Sequence, residues 1–100
     1  MKLGIHVKTE RHLEHIAGIV NAAVSKGHEV MIFTMAEGEK LLENPKYSEL
    51  CRNPNVKMSY CDHDATHMGI NKSLVPSEVT CGSQYNNAMI VSEADRMLVF

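Results

Sequence analysis

Short apolar runs alternate with helical stripes along this chain, and that alternation limits its fold more than any other feature. Leu3 to Val7 is apolar-rich and too short for a helix, so it predicts a buried strand. Thr9 then reads as a helix cap with Glu10 in the first turn, ahead of the stripe Leu13, Ile16, Ala17, Val20, Ala23 and Val24. Gly27 marks that helix's end. Val30-Met31-Ile32-Phe33 is a continuous apolar run, the pattern of a strand covered on both faces. Ala36 to Glu43 reads as a helix, broken by Pro45 before a second turn around Tyr47 to Cys51. After the turn signal Asn53-Pro54-Asn55, Val56, Met58 and Tyr60 alternate with Lys57 and Ser59 as a third strand. Cys61 to Met68 reads as a short helix closed by Gly69, and Val79 to Cys81 as a weak fourth strand. Ser83 caps a helix through Ala94, and Arg96 to Phe100 is a last apolar strand.

Strict alternation with short connections predicts an α/β domain over residues 1–100. Its expected architecture is three-layered and flavodoxin-like, a five-stranded, mainly parallel sheet with helices on both faces. Apolar residues at 44% and charged residues at 22% match an ordinary globule of this length. The net charge of -2 argues against general nucleic-acid binding, and the absence of Trp weakens a base-stacking surface. No apolar stretch reaches membrane-spanning length. The sequence lacks the apolar run and cleavage pattern of a signal peptide, so a reducing cytoplasm is the expected location.

In an open parallel sheet, ligands bind beyond the C-terminal strand ends, where strand order reverses. The residues placed there are Lys8-Thr9, Thr34-Met35, Cys61-Asp62 and Cys81-Gly82-Ser83. No phosphate-binding glycine motif occurs, and no serine-nucleophile elbow. No cofactor is expected. The loop after the first strand lacks the hydroxyls of a flavin phosphate site, and the third strand ends in Cys61 rather than a phosphoacceptor Asp.

Three unevenly spaced cysteines form a poor disulfide framework. Cys61 is the most informative of them. At a strand-to-helix junction, free backbone N–H groups and the helix dipole favour a thiolate. His63, and Lys8 if a doubly wound order makes the first strand a neighbour, would add positive charge, while Asp62 and Asp64 oppose it. Cys81 ends the adjacent strand, close enough in principle for a Cys61–Cys81 redox pair, and Cys51 reads as packing. A second constellation overlaps the first. His63 and His67 stand four apart on one helix, a spacing that with Cys61 would suit a metal. Plain surface histidines explain the same spacing, as they do for His12 and His15.

Three segments carry a resemblance. Val56 to Cys61 with the following Met68-Gly69-Ile70, then Ser77 to Ser83, then Glu93 to Phe100, together resemble the DsrE/DsrF-like family of sulfur-relay proteins. The resemblance implies a carrier or sulfurtransferase-type protein that accepts sulfane sulfur as a persulfide on Cys61. Lys8, Thr9, His63 and Cys81, placed by their positions at or just after the strand ends, are the expected supporting residues. The resemblance further implies donor and acceptor proteins that exchange sulfur through their thiols, a small open site, and assembly into a homo-oligomer.

Overall fold

The computed structural model describes all residues, Met1–Phe100. Its strands are β1 (Lys2–Val7), β2 (Glu29–Thr34), β3 (Val56–Cys61), β4 (Thr80–Gly82) and β5 (Arg96–Val99). Its α-helices are α1 (Leu13–Ser25), α2 (Pro45–Ser48), α3 (Asp62–His67) and α4 (Gln84–Glu93). All five strands are parallel, in the order β4-β3-β2-β1-β5. The chain therefore steps in one direction from β1 to β4, then crosses back so that β5 flanks β1. A right-handed crossover rule puts the first three connections on one face and α4 on the other.

The two faces are unequal. A core of 15 buried residues, including Ile5, Ile16, Val20, Ile32, Leu42 and Tyr47, fills the space under α1 and the segments after β2. On the α4 face only Met31, Phe33, Cys61 and Ile90 form a buried cluster. Strand alternation explains the split, since successive side chains leave the sheet on opposite sides. Phe33 and Cys61 thus share the α4 face, and Tyr60 points to the other.

The helix ends follow local chemistry in part. Gly27 adopts φ +82, the left-handed conformation predicted for a stop after α1. Ser83 caps α4 in a reciprocal capping box with Asn86. Thr9 does not cap α1, whose first turn is preceded by His12 with no side-chain cap. Instead the Thr9 and Lys8 amides donate to the Phe100 carbonyl at 3.3 and 2.7 Å, which ties this loop to the end of β5.

Residues Ala36–Glu43, expected to be α-helical, form a 3₁₀ helix. Docking on the end of β1 accounts for the difference. The Met35 amide donates to the Val7 carbonyl at 2.9 Å, and Gly38 packs directly on that carbonyl. The segment takes the geometry of its contact rather than that of its propensity.

His6 lies on the α4 face with its ring edge-on to Phe33, centroids 6.0 Å apart, and its Nε2 is buried without a partner. Burial first, and the Lys8 charge second, hold its pKa below the ordinary histidine value of 6.5. The folded protein thus resists a proton that the unfolded chain accepts. The resulting stability is full above pH 6.5 and is lost as pH falls through that value toward the lowered one. In His6→Phe this acid-linked loss is expected to shrink. Urea midpoints at about pH 7.5 and 5.5 test it, and equal losses in both proteins would refute it.

Candidate functional site

The connections after β3 and β4 leave on opposite faces, α3 on one and α4 on the other. The strand order itself reverses between β1 and β5, so β3 and β4 lie at the other edge of the sheet. Cys61 ends β3 and pairs in register with Gly82 of β4, so it stands at the C-terminal edge of the sheet, the side on which such folds bind ligands. Cys61 is only 5% exposed, in a buried cluster with Met31, Phe33 and Ile90. The helix that follows spans only six residues and receives no side-chain cap from Cys61, which leaves little dipole to act on the thiol.

The next strand loop supplies the site's least expected member. Glu39, on the 3₁₀ helix after β2, is 0% exposed, and neither carboxylate oxygen makes a well-formed hydrogen bond. One Glu39 oxygen, Cys61 Sγ and one Asp64 oxygen lie within 4.8 Å of one another. Burial, then repulsion from Asp64, raises the Glu39 pKa to about 8, against a weaker opposing effect of the Cys61 amide.

Two backbone features hold this arrangement. Ala36 adopts φ 50, a left-handed conformation costly for a residue with a Cβ. Its amide donates to Asp64 Oδ2 at 2.8 Å, which anchors the β2 loop to α3. Gly38 allows the loop to reach Val7, since a Cβ there would stand 2.5 Å from the Val7 oxygen.

On the outer side, Lys72 forms an ion pair with Asp62 and donates to Thr66 Oγ1 at 3.1 Å. Lys72 first, and the neighbouring Cys81 thiol second, hold the Asp62 carboxyl below its ordinary range. Cys81 is exposed and pairs in register with Tyr60, whose hydroxyl burial first and the thiol second push upward. The molecule's largest cleft, about 200 Å³, lies farther down the sheet between α4 and Met31, Ser59 and Thr80, and does not include Cys61.

The positions expected from sequence are brought together only in part. Lys8 and Thr9 follow β1, which β2 separates from β3, so neither stands beside Cys61. Cys61 and Cys81 occupy adjacent strands but opposite faces, since Cys81 shares the side of Tyr60; a disulfide needs side chains that point at each other. The Cys61–Cys81 redox pair is therefore corrected. The metal set Cys61, His63 and His67 is corrected too. His63 and His67 are exposed on α3 while Cys61 is buried in the cluster on the α4 face, and the metal-compatible cluster is Glu39, Cys61 and Asp64.

The crystal structure of the ychN protein from E. coli superimposes on this chain with a TM-score of 0.76 at 16% identity, covering 100% of both chains. The fold is DsrE-like. Identity this low establishes the fold alone. No protein-family model matches the sequence. No curated protein matches it. No helix of the chain is long and apolar enough to cross a membrane.

Sequence reasoning missed Glu39 and Lys72. Glu39 sits in Ala36-Glu37-Gly38-Glu39-Lys40, which reads as a solvated acidic segment. The available signal was Gly38, a helix-disfavouring residue in the loop after a C-terminal strand end. Lys72 lies eleven positions beyond Cys61, on a 3₁₀ turn that no periodicity announces.

Proposed function

We propose that this protein carries sulfane sulfur as a persulfide on Cys61, between a donor protein and an acceptor thiol. The Cys61 thiolate attacks the outer sulfur of the donor persulfide. The donor's S–S bond breaks, its thiolate leaves, and a new S–S bond forms on Cys61, so no external oxidant or reductant is needed. Transfer to the acceptor repeats the step in reverse roles. The observation that carries this reading is the position of Cys61, at the C-terminal end of β3 in a DsrE-like fold and outside any substrate-sized cavity. A single sulfur atom is a cargo that such a site accommodates. A buried position also shields the persulfide from bulk thiols, so the small open site implied by the resemblance is replaced by a closed one.

Exchange of this kind suits a reducing cytoplasm. Assembly into a homo-oligomer is part of the same proposal, supported by the exposed apolar side chains Tyr85, Met89 and Val91 on α4 and Val99 on β5.

Mass spectrometry of each cysteine after incubation with a persulfide donor, in the presence of a chelator, tests the assignment. One added sulfur is expected on Cys61, retained in Cys81→Ser and lost in Cys61→Ser. Normal sulfur uptake by Cys61→Ser would overturn it.

A further inference from the structure

We infer that Glu39, Cys61 and Asp64 form a binding site for a borderline divalent cation of the zinc class. The three donor atoms come from three separate places in the chain, the 3₁₀ helix after β2, the end of β3 and the first turn of α3. They converge within 4.8 Å of one another. Tetrahedral zinc with ordinary bond lengths sets its donors about 3.5 Å apart, so closing on the ion takes small rotations rather than a rebuilt loop.

The independent observation is the state of Glu39. It is fully buried, and neither oxygen makes a well-formed hydrogen bond, the Cys61 amide being its one nearby donor. A buried carboxylate without hydrogen bonds is strongly disfavoured. Protonation alone does not remedy this, because a neutral carboxylic acid still leaves a donor and an acceptor unsatisfied. A cation coordinated between Glu39 and Asp64 satisfies Glu39 and removes the repulsion between the two carboxyls. Asp64 is already oriented for the task. The Ala36 amide holds its Oδ2 at 2.8 Å, the kind of supporting hydrogen bond that fixes a metal ligand.

The donor set selects the ion. One thiolate with two carboxylates suits zinc or cobalt, whereas magnesium and calcium favour oxygen alone. Three protein donors leave a fourth tetrahedral position open to a small ligand. Binding displaces the thiol and carboxyl protons into solvent and leaves the oxidation state of sulfur and metal unchanged. The site stands on geometry independent of sulfur carriage. It uses the same thiolate, so metal and persulfide exclude one another at Cys61.

The test is zinc titration of untagged, chelator-stripped full-length protein, with cobalt as a spectroscopic substitute. One ion per chain is expected, with a thiolate-to-cobalt charge-transfer band that vanishes in Cys61→Ser. Glu39→Gln, and Asp64→Asn as a second variant should the first misfold, are expected to weaken zinc about a hundredfold or more. The exposed pair His63→Ala with His67→Ala is expected to leave affinity unchanged. Zinc binding that survives Glu39→Gln and Asp64→Asn belongs elsewhere on the surface and overturns the site. So does loss of binding in the double histidine variant, or failure of the stripped native protein to bind zinc at all.

Discussion

Gly38→Ala is expected to destabilise the protein by about 3 kcal/mol and to disperse the cluster around Cys61. The added Cβ would stand 2.5 Å from the Val7 carbonyl oxygen and 2.9 Å from its carbon, closer than real Cβ atoms approach. Both obstacles are backbone, so no rotamer change relieves them. Either the 3₁₀ segment lifts from the end of β1 or β1 itself shifts. In the first case the Met35–Val7 hydrogen bond stretches, and Glu39, one residue on, leaves its place beside Cys61. Gly18→Ala is the matched control. It makes the same chemical change inside α1, where an added Cβ meets nothing within 4 Å, and is expected to stabilise by about 0.5–1 kcal/mol. Urea unfolding of the two variants should move in opposite directions. Wild-type stability in Gly38→Ala would mean that the loop is not held against Val7.

Tyr47→Ala is expected to cost about 4 kcal/mol, and Tyr47→Phe about 1. Tyr47 is the largest fully buried side chain, and its hydroxyl lies 2.7 Å from Thr34 Oγ1, itself fully buried at the end of β2. Burial first raises the phenol's pKa far beyond the physiological range, with the Thr34 hydrogen bond acting against it. Truncation to Ala removes the ring that fills the core and strands the Thr34 hydroxyl. Replacement by Phe keeps the ring and tests the hydrogen bond alone. For a chain this long the larger loss lowers Tm by roughly 15–30 °C. If Phe destabilised as much as Ala, the polar pair rather than packing would dominate at this position.

Strand identity was legible from the sequence because each strand is a local apolar pattern. Val30 to Phe33 has one sensible reading in so short a chain. Sheet order was not legible, since short connections dictate parallel pairing and handedness but do not say which strands become neighbours. That uncertainty misplaced Lys8, whose value to Cys61 depended on β1 lying beside β3. Cys61 could be found because a strand-to-helix boundary is itself a sequence signal. Glu39 could not, since its burial arises from the docking of a 3₁₀ segment on Val7, a contact between residues about thirty positions apart. His63 and His67 show the converse. Their spacing was read correctly, but spacing does not say which side of α3 faces water.

The unequal covering of the sheet has a kinetic consequence. Cys61 lies beneath α4, a ten-residue helix whose one buried apolar residue is Ile90. The opposite face is locked by a core several times larger. Local opening draws on the least anchored elements first, so the thiol becomes reachable by the brief detachment of one thin layer while the main core stays closed. In the isolated chain, admission to Cys61 is therefore expected to depend on how firmly this single helix is seated rather than on global unfolding.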